Sequence, residues 1–423
     1  MTKRKIGIAG CGTIAFSGQG YLPGLAQLSD KFEIAAACDG VLARAQKVVD
    51  DYGATAAFTD IDEMLAKAEL DIVINLTPIP VHGEVNLKIL RAGCHVVTEK
   101  PIAATLAEAQ SILAEAKKRK LKVACAPPDM LHPHIQQVRQ SVQSGAIGQV
   151  CFARVRSSHG GPASFPFWPT DPTWFYKEGS GPLLDMGVYG ITQITGILGP
   201  AKRVVAFSGI TEAEREVAGG PLRGQHIKVE VDDNTLLMLD FGSSAFAVVD
   251  GTFNVIAAKG PSLEIYGRRG TVNINNPMMA PGEPLYEVLS LVDQTEPPIW
   301  ETPNADEVMA GEARVQQLAR AIIVEDLAAA IDEGRAPVVS GEHATHVLEI
   351  MLKAIESART GAAIDLTTTF GEPVKKQPVK KQPVKKPANK PAAKPPAKPP
   401  VKSAAKPAKQ STIDVSTTQE KGA

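Results

Sequence analysis

The chain contains no stretch of 18 or more apolar residues, which excludes a helical membrane span. Cysteine is scarce and scattered, at Cys11, Cys38, Cys94, Cys125 and Cys151, with no CxxC pair. Neither a disulfide framework nor a zinc site is indicated, and no metal is expected. Most of these cysteines lie in or beside apolar runs, where a reduced thiol acts as a small hydrophobe, so the expected compartment is the cytoplasm. The basic start Met1-Thr2-Lys3-Arg4-Lys5 leads into an apolar run broken by Gly7, Gly10 and Gly12. That pattern reads as a buried strand and glycine turn, not as a secretory signal.

Net charge is nearly absent too, at −1 over 423 residues, but the balance is uneven. Residues 373–409 hold 12 Lys and no acid, and residues 410–423 are net −1, which leaves −12 on residues 1–372. An acidic body therefore carries a basic tail. The tail repeats Pro373-Val374-Lys375-Lys376-Gln377 and continues as Lys/Pro/Ala. Such a composition buries almost nothing and predicts a disordered, solvated extension, with weak polyanion binding as its one possible partner interaction.

Within the body, residues 5–9, 33–38, 71–76, 95–98 and 122–125 read as buried strands alternating with helices. Thr105-Leu106-Ala107-Glu108 is a capping box opening a helix to about Lys120, and Pro80 opens another that stops at Gly93. This alternation predicts a doubly wound parallel sheet over residues 1–125. From residue 150 the rhythm changes. Segments 150–157, 203–208, 236–241, 245–252, 263–266 and 271–274 read as strands of one antiparallel sheet, with a helix near 183–198 against it and two late helices at 311–333 and 343–360. The expected organisation is thus an N-terminal Rossmann domain (1–125), an α+β domain (126–371) and a tail (372–423).

Gly10-Cys11-Gly12-Thr13-Ile14-Ala15 directly follows the first strand. Gly10 permits the tight turn, Gly12 admits a pyrophosphate to the backbone, Thr13 and Ile14 begin the helix, and Ala15 allows close helix–strand packing. Asp39 ends the second strand, where a carboxylate accepts from ribose hydroxyls and repels a 2′-phosphate. NAD is the expected cofactor, with NADP open because Arg44 could hold the extra phosphate or simply be a solvated helix charge. Glu99-Lys100-Pro101 follows a strand C-terminus, the side on which such sheets bind ligands. Asp185 and Tyr189, four apart beyond the glycine-rich Gly179-Ser180-Gly181, share a helix face and suit proton transfer and hydroxyl recognition. Alone they read more readily as a helix-start acid and a core tyrosine. Trp168 and Trp174 could stack on a sugar or only pack their loop, and His132 and His159 read as structural histidines.

The order GxGxxA, then Thr77-Pro78 with His82, then Glu99-Lys100-Pro101, then Asp185-x-x-x-Tyr189, resembles the Gfo/Idh/MocA oxidoreductases, as does Gly267-Arg268-Arg269-Gly270-Thr271-Val272. The resemblance covers roughly residues 4–365. It implies a Rossmann domain and a C-terminal domain on a large, mostly antiparallel sheet. It also implies homodimers or homotetramers joined through the open sheet face, and chemistry on sugars, inositols and related polyols. Carried over by motif, Lys100, Asp185 and Tyr189 form the catalytic set. Lys100, Asp185, Tyr189, Trp168 and Trp174 are candidates for substrate contact, and Thr77, Pro78, His82, Glu99 and Lys100 for cofactor contact. A Lys ammonium near the phenol is expected to pull the Tyr189 pKa below its ordinary value of about 10. Many members carry His where this chain has Tyr189, and the stretch Ala126-Pro127-Pro128-Asp129-Met130-Leu131-His132 departs from the commoner substrate motif. A dehydrogenase is the leading expectation. The alternatives are a redox-assisted glycosidase and a non-catalytic sensor of the same fold.

Overall fold

Apolar runs bounded by glycine and polar turns place six strands in one parallel sheet, seen in a computed structural model that describes residues 3–276 and 281–371. They are β1 (Arg4–Ala9), β2 (Phe32–Cys38), β3 (Ala56–Phe58), β4 (Ile72–Asn75), β5 (His95–Thr98) and β6 (Val123–Cys125), in the order β3-β2-β1-β4-β5-β6. Ile6, Ile8, Ile72, Ile74, Val96 and Val97 are fully buried, as strands covered on both faces require. The connecting helices are α1 (Thr13–Phe16), α2 (Leu22–Ala26), α3 (Leu42–Tyr52), α4 (Ile61–Lys67), α5 (His82–Arg91) and α6 (Leu106–Arg119). The capping box of α6 forms as its sequence predicts, with Glu108 N donating to Thr105 Oγ1 and Thr105 N to Glu108 Oε2. The segment after the glycine turn forms two short helices, α1 and α2, separated by Ser17–Tyr21. β3 is an addition to the expected strands.

A helix, α7 (Pro133–Gln143), leads into the second sheet. Its strands are β7 (Val150–Arg156), β8 (Arg203–Gly209), β11 (Asn234–Gly242), β12 (Ala245–Thr252), β13 (Leu263–Gly267), β14 (Gly270–Ile274), β15 (Tyr286–Ser290) and β16 (Ile364–Asp365). A separate pair, β9 (Glu214–Glu216) and β10 (His226–Lys228), lies outside it. The large sheet runs β15-β14-β13-β7-β12-β11-β8-β16 and is antiparallel except for the parallel pair β7–β12. Inward residues Leu237, Leu239, Ala247 and Val249 are buried, while their outward neighbours Leu236, Met238, Phe246 and Val248 stay exposed.

α8 (Val188–Leu198) lies on the covered face, continuing a π-helical turn over Leu183–Gly187. Gly190 makes this contact possible, because a Cβ there would sit 2.7 Å from Val155 and Ser157. The late segment expected as one helix at 311–333 is two, α9 (Ala305–Leu318) and α10 (Ala321–Asp332), broken where Ala319 takes φ +48°. The break brings Leu318 O against α2, where a Cβ on Gly24 would fall 2.0 Å away. α11 (Gly341–Thr360) packs on β8 and α8. The Lys/Pro/Ala tail lies outside the described residues. No helix of the described residues is long and apolar enough to cross a membrane.

Candidate active site

The first strand ends in a turn that only glycine fits. Gly10 has φ +93°, and a Cβ on it would meet Leu76 backbone at 2.7 Å. Gly12 faces open space, with nothing within 4 Å of a Cβ position, so a dinucleotide can approach its backbone. Thr13 and Ile14 form the first turn of α1. Asp39 fastens this turn to β2, accepting from Cys11 N at 2.9 Å and from Val41 N at 2.9 Å. Arg44 Nη1 stands 3.8 Å from Asp39 and its side chain is mostly exposed. Burial pushes the Cys11 thiol up to about 12, so the cysteine within the turn is unreactive at neutral pH.

At the C-terminal end of β4 and β5 a buried network sets the next residues. Asn75 accepts from the Thr77 hydroxyl at 2.6 Å and donates to Asn86 at 2.8 Å, while Asn86 donates to Ile102 O at 3.0 Å. His82 is 1% exposed, with Nδ1 2.7 Å from Pro101 O and Nε2 2.7 Å from Thr77 O. Both its nitrogens are used, so it holds Thr77 against Pro101 at the edge of the crevice. Pro78 caps the 3-10 turn before α5. The Lys100–Pro101 bond is cis.

Lys100 reaches across to the π-helical turn. Its Nζ donates to Asp185 Oδ1 at 3.0 Å and to Asp185 O at 2.9 Å, and lies 5.3 Å from the centroid of the Tyr189 ring. The two motifs, 85 positions apart, thus form one cluster. Burial opposes the Lys100 charge, but Asp185 and then Tyr189 outweigh it and hold the ammonium above its ordinary range. Tyr189 corrects an expectation: its phenol is raised above 10, not lowered. Burial costs the phenolate more than Lys100 and Arg320 return to it.

Arg320 is a residue the sequence reading missed. It sits just past the α9–α10 break, donating from Nη2 to the Tyr189 hydroxyl at 3.3 Å and from Nη1 to Gln19 O at 2.7 Å. Its Nε lies 2.9 Å from Glu99 Oε1, although that N–H does not point at the carboxylate. Glu99 also accepts from the Tyr21 hydroxyl at 3.1 Å and from Lys100 N at 3.2 Å. Glu99 is 8% exposed, and its carboxylate joins the α2 region, β5 and α10. No local signal marks Arg320, and Tyr21 is a lone aromatic in a glycine-rich stretch.

Of the two candidate tryptophans, Trp168 packs edge-on against Phe175 at 5.5 Å, and Trp174 is exposed. Among the described residues neither makes a hydrogen bond or ring contact with Lys100, Asp185 or Tyr189. His159 stacks on Phe253 at 5.2 Å and accepts from Gly161 N at 2.9 Å, consistent with a structural histidine.

A parallel six-stranded sheet, an open glycine turn and a Lys–Asp–Tyr cluster at the strand ends are arranged as in an NAD-binding Rossmann fold. The chain belongs to the Gfo/Idh/MocA family: the family model described as an oxidoreductase family with NAD-binding Rossmann fold matches residues 4–126, and the GFO/IDH/MocA C-terminal domain matches residues 135–273. It is 31% identical over 174 residues to D-glucoside 3-dehydrogenase of Escherichia coli (strain K12), covering 41% of this chain and 49% of that protein. It is 22% identical over 233 residues to myo-inositol 2-dehydrogenase of Thermotoga maritima, covering 55% and 65%. The matches to these two relatives thus span about half to two thirds of their lengths. Levoglucosan dehydrogenase, solved in complex with NADH and L-sorbose, shares the fold at TM-score 0.72 and 21% identity, over 87% of this chain and all of that one.

Proposed function

We propose that the protein is an NAD-dependent dehydrogenase or reductase that interconverts a secondary alcohol and a ketone on a sugar, inositol or related polyol. The observation that carries this reading is the convergence of Lys100, Asp185 and Tyr189 beside the C-terminal ends of the parallel strands. The bound dinucleotide supplies the redox equivalent from its nicotinamide. Gly10, Gly12, Thr13 and Ile14 hold its pyrophosphate, Asp39 its adenosine ribose, and Thr77, Pro78 and Glu99 shape the crevice.

Tyr189 handles the substrate hydroxyl proton at its phenolic oxygen. At neutral pH the phenol is protonated and donates to a carbonyl oxygen. In the reverse direction its deprotonated form, compensated by Lys100 and Arg320, accepts the alcohol proton and becomes the neutral phenol. Asp185 keeps Lys100 directed at the substrate position and accepts from a neighbouring hydroxyl. Trp168 and Trp174 are assigned to the rim, where sugar faces stack. Relatives named for glucosides, inositol and levoglucosan support the carbohydrate class.

The open face of the large sheet is assigned to self-association as a homodimer or homotetramer. The acidic body and the cysteine usage support a cytoplasmic enzyme, with the lysine-rich tail available to polyanions. A panel of glucosides, inositols, anhydrosugars and sugar acids, followed by absorbance of the reduced nicotinamide with NAD and with NADP, tests the reading. Net cofactor reduction by at least one carbohydrate supports it; glycoside cleavage without net reduction contradicts it.

A further inference from the structure

A second constellation lies where α9 crosses the start of α7. Gly311 permits that crossing, since a Cβ there would sit 2.6 Å from the Pro133 ring. The close approach delivers the next residue, Glu312, onto two histidines flanking Pro133. His132 Nδ1 is 2.8 Å from Glu312 Oε2, and His134 Nδ1 is 2.6 Å from Glu312 Oε1. His134 N also donates to Oε1 at 3.0 Å. The ligating atoms of all three side chains lie within 4.8 Å of one another. The Glu312 side chain is 3% exposed, against 28% for His132 and 15% for His134, so the carboxylate is inside and the imidazoles open toward solvent.

Such burial of a carboxylate calls for a counter-charge. Among the described residues, no Lys or Arg forms an ion pair with Glu312, and its ion-pair partners are the two imidazoles. The other acid nearby, Asp129, is also buried and accepts from Gln193 Nε2 at 2.5 Å. It adds negative potential without supplying a cation. We propose that His132, His134 and Glu312 bind one divalent transition-metal ion, which braces α7 against α9 and keeps its remaining positions open to water.

The donor set is two imidazoles and one carboxylate, the combination that first-row ions favour. With ligands at about 2.1 Å, neighbouring positions of a six-coordinate ion are about 3.0 Å apart, and those of a tetrahedral ion about 3.4 Å. The N···O separations of 2.6 and 2.8 Å lie nearer the first. In the metal-free state each imidazole donates its Nδ1–H to Glu312. On binding, that Nδ1 proton gives way to the ion; Nε2–H, which makes no hydrogen bond among the described residues, can donate to water, and the cation lies beside the buried carboxylate. A 178-residue separation between His134 and Glu312 hides this set from any spacing rule.

The test uses the untagged full-length protein, stripped with chelator and dialysed separately against Co²⁺ and Zn²⁺. The expected result is one ion per chain, a rise in melting temperature, and Co²⁺ absorption in the weak range of six-coordinate sites. His134→Gln, which keeps Glu312 and its bond from His134 N, abolishes uptake, as does the double variant His132→Gln, His134→Gln. Absence of bound ion in the unmodified protein overturns the proposal, and so does equal retention by the double variant. Neither outcome bears on the dehydrogenase reading, which uses other residues.

Discussion

Arg320 donates a hydrogen bond to the hydroxyl of Tyr189, joining residues 131 positions apart through a helix break at Ala319. The same guanidinium donates to Gln19 O in the segment that follows the glycine turn. One cation therefore links the segment after the glycine turn to the Tyr189 phenol. A charge-assisted hydrogen bond contributes roughly 1.5–3 kcal/mol. Arg320→Gln should lower turnover by about 10–100-fold and weaken NADH binding to a smaller degree, while Arg320→Lys recovers part of both. Steady-state kinetics and a fluorescence titration with NADH check this, and an Arg320→Gln enzyme matching the unmodified one in both would contradict it.

Asp39 is the residue to which the proposed function assigns cofactor preference. Because its two oxygens also hold Cys11 N and Val41 N, Asp39→Ala should weaken both dinucleotides by loosening the turn. Asp39→Asn keeps an acceptor and removes the charge, so it should narrow the preference for NAD with less general loss. Dissociation constants for NADH and NADPH measure the ratio. Tighter binding of NADPH by the unmodified protein would shift the assignment to Arg44.

Much of this was legible in the sequence, and the misses have physical causes. Strands buried on both faces, such as β1, β4 and β5, read as apolar runs, and Thr105 with Glu108 marks a helix start by hydrogen-bond chemistry. The three residues of β3 are too few to show a period. The α9–α10 break carries no glycine or proline, since Ala319 takes a left-handed φ under tertiary packing alone. Lys100, Asp185 and Tyr189 were identifiable as motifs, but the sign of the Tyr189 shift depends on burial, which no spacing reveals.

Acid stability follows from two histidines of α11. His343 lies 2.8 Å from Thr195 Oγ1, whose own proton goes to Ile191 O at 2.6 Å, so His343 is the donor. His346 Nε2 accepts from Ala201 N at 3.0 Å and must be unprotonated there. Burial holds His343 down to about 3 and His346 to about 4. Unfolded histidines take up protons near pH 6.5, so between that value and about 4 the unfolded chain binds more protons and stability falls as pH falls. Denaturant midpoints should drop steadily from pH 7 to pH 4, with a shallower slope in His346→Gln. A flat profile would contradict the assignment.

On the open sheet face Leu236 pairs with Phe207, and Met238 with Val248, all exposed, with Phe207 at 81%. This apolar patch is the surface to which the proposed function assigns self-association. Light scattering should give a dimer or larger assembly for the unmodified protein, and Phe207→Asp with Met238→Asp should shift it toward monomer. A monomeric unmodified protein at working concentration would remove this role.

Turnover of Tyr189→Phe on a carbohydrate reduced or oxidised by the unmodified enzyme tests the central claim most directly. A general acid–base group contributes roughly 10²–10⁴ in rate. The variant should lose about that factor at a chemically limited step and retain its NADH affinity, since the phenol does not hold the dinucleotide. In the unmodified enzyme, alcohol oxidation should accelerate as pH rises toward the raised phenol, and ketone reduction should slow over the same range. Normal turnover by Tyr189→Phe, with chemistry shown to be rate-limiting, would contradict the account.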